Sequence, residues 1–435
     1  PTGKISAVRL SYLARYARDP LGFVTRRFAR FGDMYMIQTG KDQTFVTKSP
    51  EHLRTILRTR ATAFGKPQIG LEKFLGQGLL NSNGDLWRRH RRMIQPAFHT
   101  AMLHSYADMM VEKSLEMGSA WTSGMQVNLA TEFMRTTLRI VCASLFDHKI
   151  RDDDDDVGAA MMGFQDAFGG LNFIPAWLPT RKNRRSKQGL AAMDKIIFGL
   201  IDQRKKELAE DPKRKDSPDL LTQLLQIDDS DGLSSQALRD ELITLFTAGH
   251  ETTSNALSWA FTLLAQHPAV EAKLHAELAD VLEGRPPTFD DLPRLPYTRN
   301  VIAEAMRLYP PAYVIAREAL EDVEVGEYTI KKGSICTGWI YMLHRDPTVF
   351  PEPEAFRPER FDDDDPKFRD AYLPFGAGAR MCIGATFAKM EMALILATTA
   401  QKFAFRLPPG HRVQARPQIT LTPAGGVPVT ILVRT

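Results

Sequence analysis

Cysteine is scarce in this sequence of 435 residues. The three cysteines, Cys142, Cys336 and Cys382, are odd in number and lie far apart in the chain. This pattern argues against a framework of disulfide bonds and is typical of proteins from a reducing compartment. We therefore expect a cytoplasmic protein in which Cys142 and Cys336 are small buried side chains.

Long apolar runs and a strong excess of charge are also missing. No stretch reaches the roughly 18 apolar residues that a membrane span needs, so we expect no membrane span in this chain. The net charge of +4 is too small to suggest nucleic acid as a partner. The composition, with 43% hydrophobic and 25% charged residues, is that of an ordinary globular protein.

The chain shows no internal boundary. No Gly/Ser-rich linker, repeat or abrupt change of composition divides it, so we interpret residues 1–435 as a single domain and expect a monomer. Proline is rare in the first part, since 18 of the 27 prolines lie at or after Pro268. Because proline interrupts helices, the chain is predicted to be helix-rich up to about residue 310 and a mixture of sheet and loop after it.

Short strands are predicted at a few places only. Residues 33–39 and 44–46 flank a turn at residues 40–43, which is a hairpin pattern. Residues 323–330 and 334–341 have the composition of further strand segments. Most of the remaining sequence before Pro268 has helical spacing of apolar residues. The predicted fold class is mainly α with small β-sheets.

One cysteine has unusual neighbours. Cys382 stands among glycines at positions 376, 378 and 384, two residues after Arg380. Glycines let backbone approach a flat group closely, and free backbone N–H groups can donate to a sulfur. Apolar residues follow at helical spacing, so the cysteine precedes a helix N-terminus, which favours a thiolate. With the permanent cation of Arg380, these features indicate a large anionic cofactor.

The same segment resembles a known cofactor signature. Residues 375–384 read FGAGARMCIG and match Phe-x-x-Gly-x-Arg-x-Cys-x-Gly, the haem-binding signature of the cytochrome P450 family, at every fixed position. The resemblance implies the cytochrome P450 fold, with a long central helix over haem b. It implies Cys382 as the ligand of the haem iron, with Phe375, Gly376 and Gly384 beside the haem and Arg380 at a propionate.

A long helix is predicted from about Ser235 to His267, where Pro268 ends it. At ~1.5 Å per residue it is about 50 Å long. Its middle, residues 248–253, reads AGHETT and contains poor helix formers, so something other than helix stability must account for them.

These residues resemble the Ala/Gly-Gly-x-Asp/Glu-Thr-Thr/Ser motif of the cytochrome P450 family. The resemblance implies that a groove at Ala248 and Gly249 receives dioxygen. It also implies that Thr252 hydrogen-bonds the dioxygen and that Glu251 relays protons to it. Taken alone, a Thr-Thr pair in a helix is usually structural.

Glu304 and Arg307 lie three residues apart in a helix predicted at residues 297–309, and hence on one helical face. Such pairs are common on protein surfaces, so the spacing alone is a weak signal. The family resemblance implies that Arg360, in a Pro-x-Arg-Phe segment, joins them in a buried triad. We expect this triad to hold the cysteine loop in place without taking part in the chemistry.

A basic segment reads WRRHRR at residues 87–92. Taken alone, it is equally typical of a solvated helix face or of a nucleic-acid patch. The family resemblance implies that Trp87 and Arg91 reach a haem propionate and that Arg317 reaches a propionate as well. The remaining basic residues are then expected on a surface available to an acidic electron donor: Arg88, Arg89, Arg92 and Lys389.

The reaction implied by the resemblance is that of a monooxygenase, which inserts one oxygen atom of O2 by hydroxylation or epoxidation. The sequence contains no flavin or NAD(P)H fingerprint, so electrons are expected from a separate ferredoxin or flavodoxin with its reductase. Phe246, Tyr313 and Val314, with apolar loops at residues 64–80 and 161–178, suggest a lipophilic substrate such as a fatty acid, terpenoid or steroid.

Two other classes of protein remain open. One is a peroxide-driven peroxygenase or a non-oxygenating isomerase with the same fold, although such members usually replace the Glu-Thr pair that is intact here. The other is a non-catalytic haem protein that binds or senses a ligand. Product formation with O2 and a reductase distinguishes a monooxygenase from both.

Overall fold

The structure is a computed structural model that describes most of the chain. The described residues are 4–6, 15–68, 70, 72–147, 180–217, 219–227, 233–362 and 365–434. The predicted loop at residues 161–178 therefore lies outside the described residues.

Helices dominate the described residues. They are α1 Pro20–Phe31, α2 Pro50–Arg54, α3 Glu72–Leu75, α4 Gly84–Ile94, α5 Thr100–Gly118, α6 Leu129–Phe146, α7 Arg181–Glu210, α8 Leu220–Leu225, α9 Ser235–Gln266, α10 Pro268–Leu282, α11 Pro296–Leu308, α12 Ile340–Leu343, α13 Pro366–Ala371 and α14 Ala385–Lys402. No helix among these described residues is long and apolar enough to span a membrane.

The central helix α9 has clear local causes at both ends. The Ser234 side chain accepts a hydrogen bond from the Ala237 N–H and so caps the first turn. At the other end, Pro268 lacks an N–H and begins α10 instead. The helix is buried along most of its length and packs against α6, α11 and α14. The prediction of one long helix from Ser235 to His267 is confirmed to within one residue.

The strands are short. They are β1 Lys4–Ser6, β2 Met34–Thr39, β3 Asp42–Thr47, β4 Phe64–Gly65, β5 Gln126–Asn128, β6 Ile315–Ala319, β7 Val323–Val325, β8 Tyr328–Ile330, β9 Ile335–Gly338, β10 Phe403–Arg406, β11 Ala415–Pro417, β12 Leu421–Pro423 and β13 Pro428–Val433.

The strands form four small sheets within the described residues. The largest has the order β1-β2-β3-β9-β6-β4, and a second has the order β10-β13-β5. The pairs β7-β8 and β11-β12 are separate two-stranded hairpins. In the largest sheet, β9 pairs parallel with β3 and antiparallel with β6, which brings the early hairpin beside the later half of the chain. The predicted class, mainly α with small sheets, is confirmed.

The predicted strand segments are right in place but wrong in length. The hairpin at residues 33–46 is confirmed as β2 and β3. Residues 323–330, predicted as one segment, form β7 and β8, because the chain reverses at Gly326, whose φ of +60° suits glycine. The segment at 334–341 keeps its strand only to Gly338, and Ile340 begins α12. The single-domain interpretation of residues 1–435 stays a prediction.

Candidate active site

Cys382 lies in a loop just before α14. Its N–H donates to the Phe375 carbonyl at 2.9 Å. Burial raises the pKa of its thiol, while the Gly384 N–H and the Arg91 cation lower it. Yet the side chain is exposed to solvent. Protein surrounds this side chain, yet solvent reaches it. Cys382 therefore lines a hollow, which we call the recess. Cys142 and Cys336, in contrast, are buried, as predicted.

The glycines around Cys382 serve different purposes. Gly376 and Gly378 have φ of +72° and +69°, which favours glycine. At Gly378 a Cβ atom would lie 1.9 Å from the Leu57 carbonyl oxygen, so backbone, and not a cofactor ring, is what requires a glycine here. At Gly384 a Cβ atom would meet only ordinary contacts, the nearest being Phe98 Cε1 at 3.5 Å. Its contribution is the N–H group that donates to the sulfur.

The central helix is open to the solvent in its middle. Ala248 is exposed, and Gly249, Glu251 and Thr252 are half-buried, whereas residues 238–247 and 253–264 are buried. The Thr252 hydroxyl donates to the Ala248 carbonyl at 2.8 Å, and the Thr253 hydroxyl donates to the Gly249 carbonyl at 3.1 Å. Such bonds from a side chain to the preceding turn loosen a helix. Polar residues are therefore accessible to solvent at this point of α9.

Gly249 also has a packing role. A Cβ atom here would lie 2.9 Å from Val141 Cγ2 of α6, closer than real Cβ atoms approach. The glycine thus lets α6 and α9 pack closely. The predicted oxygen groove at Ala248 and Gly249 stays a prediction.

Glu251 is held by a residue that is distant in sequence. The Thr420 hydroxyl donates to Glu251 Oε1 at 2.6 Å. Burial raises the pKa of Glu251, and this hydrogen bond lowers it in part. The adjacent His250 is fully buried and bonds the Phe246 carbonyl through Nδ1 at 2.7 Å. Burial lowers the pKa of His250 to about 4, so it is neutral at pH 7 and packs as part of the core.

Three arginines predicted to bind propionates donate to neutral partners within the described residues. Arg91 donates to the Met381 carbonyl at 2.8 Å, and Arg317, which is buried, donates to the Ala316 carbonyl at 2.9 Å. Arg380 donates to the Ser82 carbonyl and to Asn83 Oδ1, with its guanidinium 4.4 Å from the centre of the Trp87 ring. Burial and the neighbouring Arg380 lower the pKa of Arg317 to about 10.

Lys66 is a fourth cation that the sequence analysis missed. Burial, together with the nearby cations Arg317 and Arg380, lowers its pKa to about 7. Together Lys66, Arg91, Arg317 and Arg380 form what we call the cation cluster. In the part of the chain that the structure describes, none of the four makes an ion pair with a carboxylate. Nothing in the sequence around Lys66 indicated that it belongs to a cluster of cations.

The recess can therefore be tested against the predicted cofactor. Buried cations without acidic partners are costly, and an anionic ligand offsets that cost. Haem b carries two propionates, which suit the cation cluster, and a flat ring, which suits the recess. Its iron can take the thiolate of Cys382 as a ligand. Cys382, the cation cluster and the opening of α9 thus fit haem b. By their contacts, Arg91, Arg317, Arg380 and Lys66 are the residues that can hold the propionates.

The structure brings Glu304, Arg307 and Arg360 together, and we call them the buried triad. Arg307 donates to both carboxylate oxygens of Glu304, through Nε at 2.7 Å and Nη2 at 2.8 Å. Arg360 Nε donates to Glu304 Oε1 at 3.3 Å. The remaining guanidinium N–H groups go to backbone carbonyls, at His344, Pro351, Glu352, Pro353 and Ala355.

His344 connects the buried triad to the cysteine loop. Its ring is fully buried, with Nδ1 3.1 Å from the Arg307 carbonyl, while Nε2 accepts the Leu373 N–H at 3.0 Å. A carbonyl can only accept and an N–H can only donate, so the proton is on Nδ1. Burial lowers the pKa of His344 to about 3. The neutral ring therefore joins α11 to the chain two residues before Phe375.

The three residues predicted to line the substrate pocket differ in how far they are buried. Phe246 is buried and its ring packs near Phe146 and His250. Tyr313 is also buried, donates to the Gln418 carbonyl at 2.7 Å and packs against Trp339. Both belong to core clusters, so Val314, which is half-buried, is the most accessible of the three.

The basic residues that the sequence analysis assigned to a surface are exposed. They are Arg88, Arg89, Arg92 and Lys389. Arg88 pairs with Asp85, and Lys389 Nζ lies 5.4 Å from the centre of the Phe375 ring. Because Arg91 of the same helix bonds the Met381 carbonyl, this face of α4 is next to the cysteine loop.

Comparison with known proteins gives a consistent result. The family model described as cytochrome P450 matches residues 5–427. Cyclooctatin synthase of Streptomyces melanosporofaciens is 36% identical over 419 residues, which cover 93% of this chain and 90% of that protein.

Two further relatives extend the comparison. Cyclooctat-9-en-7-ol 5-monooxygenase of the same organism is 34% identical and covers 90% of this chain and 86% of its own length. A human ultra-long-chain fatty acid omega-hydroxylase is 30% identical and covers 87% of this chain and 77% of its own length. With the signature at Cys382 and a family match over nearly its whole length, this chain belongs to the cytochrome P450 family of haem-thiolate oxygenases.

Proposed function

We propose that this cytochrome P450 hydroxylates or epoxidises a lipophilic small molecule, with Glu251 and Thr252 managing proton delivery. The observation that carries the proposal is the opening of α9. At this point the helix, which is buried on either side, has the half-buried carboxylate of Glu251 next to the half-buried hydroxyl of Thr252. A protein that only binds haem has no need for this pair, and peroxygenases and isomerases of the family usually replace it.

The chain's own residues have distinct proposed roles. The bound haem supplies the activation of dioxygen. Cys382 would hold the iron through its thiolate, which the Gly384 N–H stabilises. Phe375 and Gly376 would lie beside the haem, and Trp87 supports Arg380 by stacking. Glu251 can accept and release a proton at Oε2, since Oε1 accepts the Thr420 hydroxyl, and Thr252 can place a proton or a water molecule at the opening of α9.

We infer that the substrate is a cyclic compound built mainly of carbon and hydrogen, of the terpenoid type. The support is the name of a 34% identical relative, a cyclooctat-9-en-7-ol 5-monooxygenase. A fatty acid is the alternative that the human relative's name suggests, and a steroid is a third. A screen for binding-induced changes in the haem spectrum, with compounds of all three classes, distinguishes them. Terpenoid alcohols are expected to bind tightest, and a clear preference for fatty acids would overturn this inference.

We propose a ferredoxin or flavodoxin, with its reductase, as the electron donor. The exposed cations Arg88, Arg92 and Lys389 beside the cysteine loop suit an acidic partner. Reversing Arg88 and Arg92 to Glu should slow reduction at low salt, and the defect should shrink as salt rises, because exposed charges are screened within ~10 Å at 0.1 M. Reversing Lys205 and Lys206 on α7 is the matched control. The expected cytoplasmic location and monomeric state stay predictions.

The function itself is tested at Thr252. With O2, a surrogate redox pair and a substrate from the screen, Thr252→Ala should keep consuming reductant while releasing hydrogen peroxide and forming much less product. Well-placed proton transfer contributes roughly 10²–10⁴-fold. Thr262→Ala is the control, since Thr262 also bonds the preceding turn of α9, at 2.7 Å, but lies away from the opening. Full coupling of reductant to product in Thr252→Ala would contradict the role of Thr252.

A further inference from the structure

The hairpin β11–β12 reaches the central helix at Glu251. At its tip, Thr420 is 6% exposed and its hydroxyl donates to Glu251 Oε1 at 2.6 Å. The same hydroxyl lies 3.1 Å from Asn255 Nδ2, one helical turn further along α9. An amide nitrogen only donates, so the hydroxyl accepts from Asn255 through one lone pair, while it donates its own proton to Glu251 Oε1. This arrangement requires an oxygen on Glu251 that carries no proton.

The tip of the hairpin is fixed from several sides. Trp259 Nε1 of α9 donates to the Leu421 carbonyl at 3.0 Å, and the Leu421 N–H donates to the Pro311 carbonyl at 3.0 Å. The Tyr313 hydroxyl donates to the Gln418 carbonyl at 2.7 Å. Leu421 itself is fully buried. The position of the Thr420 hydroxyl is therefore set by the core and not by a surface loop.

We propose that Thr420 is a positioning residue for Glu251: its hydroxyl holds the carboxylate in one orientation at the opening of α9, and so the β11–β12 hairpin controls the route of protons into the recess. The proposal rests on the proposed function, because it assigns a partner to the proton-relaying residue. It explains the Asn255–Thr420–Glu251 series of hydrogen bonds, which packing alone does not require.

The electrostatic surroundings of Glu251 support this role. Burial raises the pKa of Glu251, and the Thr420 hydrogen bond opposes that shift. Among the described residues, Glu251 makes no ion pair. The titratable neighbour on α9 is His250, which is neutral, and the hairpin tip contributes the neutral Thr420 and Gln418. A neutral hydroxyl therefore keeps Glu251 able to release its proton.

The test uses the full-length, haem-loaded protein. Thr420→Val removes the hydroxyl and keeps the shape of the side chain, whereas Thr420→Ser keeps the hydroxyl. Thr422→Val is the matched control, because Thr422 lies in the same hairpin and its hydroxyl bonds the Arg416 carbonyl and Gln418 Oε1 instead of Glu251. Infrared spectra recorded across pH, with the Glu251→Gln spectrum subtracted, report the titration of Glu251 in the resting protein, without turnover.

The titration midpoint of Glu251 should move to higher pH in Thr420→Val and return towards wild type in Thr420→Ser. Thr422→Val should leave it unchanged. The pH at which coupling of reductant to product is half-maximal should move in the same direction. An unshifted midpoint in Thr420→Val, or no recovery in Thr420→Ser, overturns the proposal.

The two proposals fail in different ways. If Glu251→Gln leaves the rate of turnover unchanged, Glu251 has no role in proton delivery and the proposed function loses that residue. The infrared midpoint would still decide whether Thr420 controls Glu251. A shifted midpoint with unchanged turnover therefore contradicts the proton route, and an unshifted midpoint contradicts the positioning role alone.

Discussion

In the buried triad, Arg307 donates to both oxygens of the Glu304 carboxylate, whereas in the cation cluster Arg317 donates only to the Ala316 carbonyl. Both arginines are buried. A buried charge costs several kcal/mol unless a partner offsets the cost. The buried triad brings its own anion and so can stabilise the protein without help. The cation cluster has no such anion among the described residues, so an anionic ligand is needed to offset the cost of its buried charge. Whether a buried arginine has a carboxylate partner within the protein thus distinguishes the scaffold from the binding site, without reference to any sequence motif.

The largest effect is expected when the carboxylate of the buried triad is removed. Glu304→Ala leaves Arg307 and Arg360 buried without their anion, which should cost about 3–5 kcal/mol in the free energy of unfolding. Denaturant unfolding and soluble yield measure the effect. Glu210→Ala, at an exposed position on α7, is the control and should have little effect. Equal stability of the two variants would show that the triad is not structural.

The connection through His344 should appear as a dependence on pH. Its folded pKa of about 3 lies below the ordinary value of 6.5, so the unfolded chain binds the additional proton between these values. Stability should therefore fall as the pH drops below about 6.5, by up to ~1.4 kcal/mol per pH unit from this group.

In His344→Gln the amide oxygen can still accept a hydrogen bond from the Leu373 N–H, but the amide does not change its protonation state with pH. The loss of unfolding free energy between pH 7 and pH 5 should therefore be smaller in His344→Gln than in wild type. His99→Gln, at an exposed histidine, should behave like wild type. The same loss in all three proteins would exclude His344 as the acid-sensitive link.

Arg317→Met should have opposite effects on the haem-loaded and haem-free protein. A charge-assisted hydrogen bond contributes ~1.5–3 kcal/mol, so haem transfer to apomyoglobin should become roughly ten- to a hundredfold faster. The haem-free protein should unfold at a higher temperature, because a buried cation without an acidic partner has been replaced by an apolar chain. Arg416→Met, at an exposed arginine, serves as the control. A haem-free protein that loses stability would place Arg317 with the scaffold instead.

The smallest expected effect is at Lys66. Its pKa of about 7 makes it partly neutral in the haem-free protein, and haem propionates favour its charged form. Haem binding should thus take up a proton, and haem affinity should fall between pH 7 and pH 9 by at most about tenfold per pH unit. Lys66→Met should flatten this dependence, while the exposed Lys332→Met should not. An identical pH dependence in Lys66→Met and wild type would show that Lys66 does not sense the haem.

The sequence predicted those parts of the site that depend on local spacing. The helix of Glu304 and Arg307 and the long α9 were each found within a few residues of their predicted bounds. A helix also follows Cys382, as the apolar spacing indicated. These features follow from caps, prolines and helical periodicity, which act over short stretches of chain.

Contacts between distant segments could not be read in the same way. Thr420 lies 169 residues from Glu251 and belongs to a hairpin that the sequence analysis did not predict. Lys66 depends on how the residues after β4 meet Arg317 and Arg380. Phe246 belongs to a core cluster and its place in the pocket stays a prediction, because α9 is buried on most of its faces and periodicity alone does not show which face lines a pocket.

The contact between Gly378 and the Leu57 carbonyl, 1.9 Å from where a Cβ atom would be, limits how this enzyme can be re-engineered. A flexible side chain can turn away from a new methyl group, but a main-chain carbonyl moves only when its whole segment moves. Mutant libraries of the cysteine loop should therefore keep residue 378 fixed. A chimera that takes this loop from a relative should take the segment Thr55–Thr59 from the same parent, since the two backbones must match each other.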